Sequence, residues 1–237
     1  SGAPALDSWQ HIVFSYDALN DKRVINDISL NIRANTLVGF AGKTGSGKTT
    51  LVDILLGLLI PQGGEIVIDG RAICAGNVRN WQQNLGYVPQ NIYLSNDTIA
   101  SNIAFGVARG KIDMEAVKNA AKLAQIDEFI TQELPEKYNT VIGERGIRLS
   151  GGQRQRIGIA RALYRDPSVL VMDEATSALD NQTELDVMQA IDGLSGKKTI
   201  VLIAHRLTTL RRCDEIFLIE RGKIQKRGTY AELFPED

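Results

Sequence analysis

Long apolar runs are missing from this chain of 237 residues. The longest, "LVDILLGLLI", carries Asp53 and reaches about half of the roughly 20 residues a bilayer-spanning helix needs. No stretch is therefore expected to cross a membrane. The N-terminus shows no charged-then-apolar leader pattern, and its opening "SGAP" reads as a cloning remnant outside the fold. Cysteine is scarce as well: Cys74 and Cys213 make neither a C-x-x-C pair nor an evenly spaced framework, which excludes a disulfide scaffold and suits a reducing compartment. Neither sign of charge dominates, with 27 Lys and Arg against 28 Asp and Glu. A nucleic-acid partner is not expected on that balance, and "RLTTLRRC" reads as a solvated helix face. What the chain does have is apolar residues, 43% of the total, enough to bury one large core or two small ones.

Periodicity separates strands from helices. "ISLNI" (28–32) alternates like a half-buried strand, whereas "TLVGFAG" (36–42) and "SVLVMDE" (168–174) are continuous apolar runs, as in the buried strands of a parallel sheet. Further strands are expected at 11–16, 65–69, 85–90, 199–204, 215–220 and 223–228, and helices at 48–59, 113–125, 151–165 and 182–194. Strands and helices alternate at both ends, while roughly 98–165 is almost wholly helical. The economical reading is an α/β core with a helical insertion.

"GKTGSGKT", Gly42 to Thr49, follows an expected strand and opens an expected helix, the context that G-x-x-x-x-G-K-[ST] requires. Its glycines let backbone N–H groups converge on phosphate oxygens, and the helix N-terminus adds a favourable dipole. Lys48 supplies a point charge to the same phosphates and Thr49 a hydroxyl to Mg²⁺. "VLVMDE" brings Asp173 to the metal, with Glu174 next to it able to polarise an attacking water. The blander alternatives are a glycine-rich turn and two strand-end acids facing solvent.

Within "RLSGGQRQR" (148–156), Ser150 and Gln153 fit the S-x-x-Q capping box. Each glycine between them costs up to roughly 1 kcal/mol relative to alanine in a helical turn, and a cap needs neither. Ile157, Ala160 and Tyr164 would form the apolar stripe of that helix.

A phosphate loop alone leaves kinases, GTPases and recombinases open. Taken in order, however, the motifs resemble the nucleotide-binding domain of an ATP-binding cassette (ABC) transporter over about residues 9–234. Tyr16 stands where that family stacks an aromatic on adenine. "AGKTGSGKTT" resembles Walker A, so that Gly42, Lys43, Thr44, Gly45, Ser46, Gly47, Lys48, Thr49 and Thr50 bind nucleotide by resemblance. Gln90 in "YVPQ" stands at the Q-loop, and Leu149, Ser150, Gly151, Gly152 and Gln153 at the family signature. "VLVMDEATSALD" resembles Walker B followed by the D-loop, with Asp180, and His205 in "IAHR" stands at the switch position. His11 matches nothing and is taken as structural.

The resemblance implies an α/β fold: a RecA-like P-loop core with a mostly parallel sheet, an N-terminal antiparallel β subdomain and an inserted α-helical subdomain. A single domain spans 1–237, its core at about 9–90 and 166–237 and its helical subdomain at about 91–165. The implied ligands are ATP and Mg²⁺, the metal held by Thr49, Gln90 and Asp173, and the implied catalytic residues are Glu174, His205, Gln90 and Lys48. Partners would be a second copy in a head-to-tail dimer, whose signature closes over the γ-phosphate, and a transmembrane domain of the same polypeptide. "VIGERG" (141–146), with Glu144, and "YVPQNIYLSNDTIASNIAFG" look exporter-like, and "TTLVDILLGLLIPQGGEIVIDG" resembles cassettes of lipid-linked oligosaccharide or polysaccharide exporters. The expected location is the cytoplasmic face of the inner membrane. A soluble cassette ATPase of repair or translation, or a non-hydrolysing nucleotide-gated module, is the alternative.

Overall fold

The computed structural model describes residues 12–18, 22–143, 146, 149–173, 181–204 and 206–235. They fall into two compact units, one made of the residues up to Leu85 together with those from Gly196 onward, the other of Gly86–Ser195.

In the first unit β1 (Ile12–Ala18) and β2 (Lys22–Leu30) pair antiparallel. The "ISLNI" strand thus begins earlier than alternation implies. Asp27 takes a left-handed φ of 56°, which shifts the register so that Ile25 and Ile28 are both buried. The chain then enters β3 (Leu37–Ala41) and α1 (Lys48–Leu55). Next come β4 (Gly63–Ile68), β5 (Arg71–Ala72) and α2 (Val78–Gln82), with β1 lying between β2 and β4.

All five residues of β3 are buried, as a continuous apolar run requires, and the β3 amide of Leu37 is anchored by Asp214 Oδ2 at 2.7 Å. The helix expected at 48–59 stops at Leu55 for a physical reason. Gly57 turns left-handed (φ 67°), and the carbonyls at the end of α1 and just past it are taken by side chains of α2: Trp81 Nε1 donates to the Leu55 oxygen at 2.7 Å, and Gln82 Nε2 to those of Leu56 and Gly57.

In the second unit β6 (Leu85–Val88) precedes the helices α3 (Ile99–Ile103), α4 (Met114–Leu123), α5 (Asp127–Gln132) and α6 (Gly151–Leu163), followed by β7 (Val169–Asp173), which lies beside β6, and α7 (Asn181–Asp192). Helix α4 is capped by Asp113, whose Oδ1 accepts from the amides of Glu115 and Ala116, and it buries Val117, Ala120 and Ala121 at helical spacing. Helix α6 packs against α3, α4 and α7.

Returning to the first unit, β8 (Thr199–Ile203), α8 (Leu207–Leu210), β9 (Glu215–Glu220), β10 (Lys223–Gly228) and α9 (Tyr230–Leu233) complete the chain. Strand β3 pairs parallel with β8 on one side and β9 on the other, and β10 closes the edge antiparallel to β9. The Phe40 and Phe217 rings meet in this layer, centroids 5.8 Å apart. The fold is thus that of a RecA-like P-loop NTPase: a mixed, mostly parallel sheet, antiparallel N-terminal strands and helical insertions. Among the described residues no helix is long and apolar enough to cross a membrane.

Candidate functional site

The loop between β3 and α1 is shaped by its glycines. A Cβ on Gly42 would stand 2.1 Å from the backbone oxygen of Ile219, so the chain leaves β3 in contact with the β9 backbone. Gly45 and Gly47 hold φ of 78° and 105°, and the Ser46 amide donates to the Lys43 oxygen across the turn (3.1 Å). The loop is then tied from behind. The Gly222 amide donates to the Ser46 oxygen at 2.9 Å, and the Gly222 oxygen accepts from the Asn26 amide at 2.8 Å. Residues 221 and 222 turn β9 into β10, with φ of 48° and 72°, the left-handed pair of a tight hairpin. The arginine-glycine pair between two strands was the sequence signal for this brace; its contact with the phosphate loop had none.

The same loop has the features of an anion site. Lys48 is 5% exposed, and its Nζ donates to the oxygens of Gly42 (2.7 Å) and Lys43 (3.0 Å), folding the cation back over the loop. The N-cap of α1, Gly47, supplies no side-chain cap, so the first amides of the helix are not met from within. Ser46 Oγ is buried and, among the described residues, has no hydrogen-bond partner. A buried cation, an uncapped helix start and a partnerless buried hydroxyl fit phosphate oxygens. Lys43, Thr44 and Thr50 lie on the same loop and first turn, beside Thr49.

The second unit carries another helix start. Ser150 is the N-cap of α6, its Oγ accepting from the Gln153 amide at 3.2 Å, while Gln153 Oε1 accepts from the Ser150 amide at 2.8 Å. The capping box is therefore formed. Leu149 is buried and its oxygen accepts from Arg154 at 2.6 Å; Gly151 is exposed and Gly152 buried. Ile157 and Ala160 are buried as the apolar stripe requires, but Tyr164 is only half-buried. Its hydroxyl accepts from the Asp113 amide at 3.1 Å, because Tyr164 stands at the C-cap, past the last full turn.

Asp173 is buried at the end of β7, and Gln90 is exposed just beyond β6, after Pro89. Tyr16 lies in β1 opposite Ile25, with register shifts on both sides of it. Glu174, Asp180, His205, Glu144 and His11 lie outside the described residues.

The ABC transporter family profile matches residues 25–177, more than half of the chain. The ATP-dependent lipid A-core flippase of Ralstonia nicotianae is 40% identical over 230 residues, which is 97% of this chain and 38% of the flippase. The flippase of the same description from Haemophilus influenzae is 42% identical over 229 residues, again 97% of this chain and 38% of the relative. Among solved structures, a bacterial Atm1-family ABC exporter with ATP bound is similar with a TM-score of 0.83 and 38% identity, covering 97% of this chain and 39% of that one. The chain thus spans well under half the length of these relatives.

Proposed function

The chain belongs to the ABC transporter family as an exporter-type nucleotide-binding domain, and from that premise we propose that two such domains pair head to tail, close over ATP and drive export across a membrane. It is a P-loop ATPase domain. The observation that carries the reading is that one chain holds two helix starts suited to an anion. One is α1, with buried Lys48 and partnerless Ser46; the other is α6, with exposed Gly151. A two-fold pair uses each surface twice, so the α6 start of one copy meets the phosphates held by the α1 start of the other.

In this account the Lys48 ammonium and the loop amides of Gly45 to Thr49 bind the β- and γ-phosphates, and Tyr16 stacks on adenine. Thr49, Gln90 and Asp173 would hold Mg²⁺, which when bound neutralises charge on the phosphate oxygens. Glu174 takes a proton from the water that attacks the γ-phosphorus. His205 donates to the γ-phosphate oxygens as charge develops on them. Ser150 and the amides of Gly151 and Gly152 from the partner copy complete the cage, and Asp180 keeps the D-loop role that the resemblance implies. Hydrolysis removes the anion both copies share, and the pair opens.

Export requires membrane helices, which belong to the same polypeptide in this reading, with the domain on the cytoplasmic face of the inner membrane. Tyr93 and Val141, each exposed in the second unit, are proposed contacts for them, and Glu144 is a further contact on the resemblance alone. The cargo is proposed to be a lipid or a lipid-linked oligosaccharide or polysaccharide, supported by the lipid A-core flippases among the relatives. The catalytic part is tested with Glu174→Gln, which should hold Mg²⁺ and ATP in a stable dimer, read by size-exclusion chromatography. Rapid turnover by that variant would contradict it.

A further inference from the structure

Helix α6 is held by one short segment at two points, and the chain ahead of the helix meets that segment at a third. Just before the helix, at Gly146, a Cβ would stand 2.8 Å from Leu94 Cδ1. In its middle, at Gly158, a Cβ would stand 2.4 Å from Ile92 Cδ1, so the bare backbone is what lets Ile92 lie against the helix. Near its end Arg161 donates from Nη1 to the Tyr93 oxygen at 2.8 Å, from Nε to the Asn102 oxygen at 2.8 Å and from Nη2 to Asn102 Oδ1 at 3.3 Å. Its guanidinium also lies over the Phe105 ring, 4.7 Å from the centroid.

Asn102 carries the grip onward. It is fully buried, its Oδ1 accepts from the Ser95 amide at 2.9 Å, and its Nδ2 donates to the oxygens of Ser95 and Thr98, both at 3.0 Å. Among the described residues no carboxylate pairs with Arg161: the cation is met by three neutral oxygens and a ring face. That set matches a planar fork of donors and not the compact ammonium of lysine. The segment it grips, Ile92 to Asn102, is the one that follows Gln90.

We propose that Arg161 is a positioning residue for the signature: it fastens α6 to the segment following Gln90, so that displacement of that segment reaches Ser150 and the Gly151 and Gly152 amides as motion of one rigid helix. Arg161 stands about 16 Å along the helix from Ser150, a span a hydrogen-bonded helix carries without bending much. The proposal rests on the signature acting across the dimer as described above, and it adds the residue that sets where the signature stands.

The test is a double-mutant cycle on the chain itself. Arg161→Lys should leave the Kd for ATP within about twofold, since the phosphate loop is untouched, and lower kcat by about tenfold or more. In a Ser150→Ala background Arg161→Lys should cost nothing further, because it acts through the signature. Losses that multiply in the double variant, or an unchanged kcat in the single one, would overturn the proposal. If the wild-type chain does not hydrolyse ATP even at high protein concentration, the ATPase reading beneath the proposal falls instead. Should Arg161→Lys fail to fold, hydrogen exchange of the wild-type chain decides. The Ser95 amide, held by Asn102, and the Arg154 amide, bonded to the Ser150 oxygen, should open with one shared free energy; separate openings would overturn it.

Discussion

Gly42 and Gly45 stand in the same motif, but they are glycines for different reasons. At Gly42 a methyl group would meet the Ile219 backbone oxygen at 2.1 Å, and a strand backbone cannot swing aside; at Gly45 there is open space and only a left-handed φ of 78° to satisfy. Gly42→Ala should therefore destabilise by about 1–3 kcal/mol and abolish ATP binding. Gly45→Ala should cost about 1 kcal/mol, the strain of a side chain in that region. Denaturant midpoints and nucleotide titration separate the two. The motif shows in the sequence that both are glycine, but the steric reason at Gly42 comes from β9, which no local pattern connects to it. The two cysteines divide similarly. Cys74 is exposed, whereas Cys213 is buried behind Gly39, and burial, with Asp214 nearby, pushes its thiol from an ordinary 9.0 up to about 12. The folded state thus favours the neutral thiol. Cys213 carries no penalty below pH 9.0, and its contribution destabilises the fold as pH rises from there toward 12. Native alkylation at neutral pH should modify Cys74 alone, and denaturation should expose the second thiol, as counted by mass spectrometry.

At the scale of elements, helix and strand identity was largely legible where period and burial agree. Strands β3, β7 and β8 are wholly buried, as continuous apolar runs predict, and α6 begins at its capping box. Boundaries set by distant partners were not. Apolar periodicity carries α1 on to residue 59, but the helix ends at Leu55, where Gly57 turns left-handed, Trp81 takes the Leu55 carbonyl and Gln82 those of the next two residues, a pairing across 25 or 26 positions of sequence. Trp81→Phe keeps most of the ring and removes the donor to the buried Leu55 oxygen. It should cost about 1–3 kcal/mol through the acceptor left unmet, visible as a lowered Tm. The short helices α2, α3, α5, α8 and α9 had no periodic signal, since four to six residues cannot repeat a 3.6-residue pattern.

For the whole molecule, the candidate site was legible as motifs and not as geometry. The sequence marks Gly42 to Thr50 and Leu149 to Gln153 as separate stretches, and the structure makes each a helix start with its own chemistry: one uncapped with a buried cation, the other capped with an exposed glycine. Neither start explains the other within one copy. The brace behind the phosphate loop, from β2 through the β9–β10 turn, and the Arg161 grip on α6 depend on contacts between residues far apart in the chain, which is why motif reading missed both. The central claim is that the bare amides at Gly151 serve the nucleotide held by another copy. It is tested most directly by ATP binding and hydrolysis measured side by side for Gly151→Trp. The account predicts a Kd for ATP within about twofold of wild type and hydrolysis reduced by about a hundredfold or more, since the indole bars the partner's γ-phosphate from the amides. Equal loss of binding and hydrolysis would contradict it and leave "LSGGQ" as no more than a helix cap.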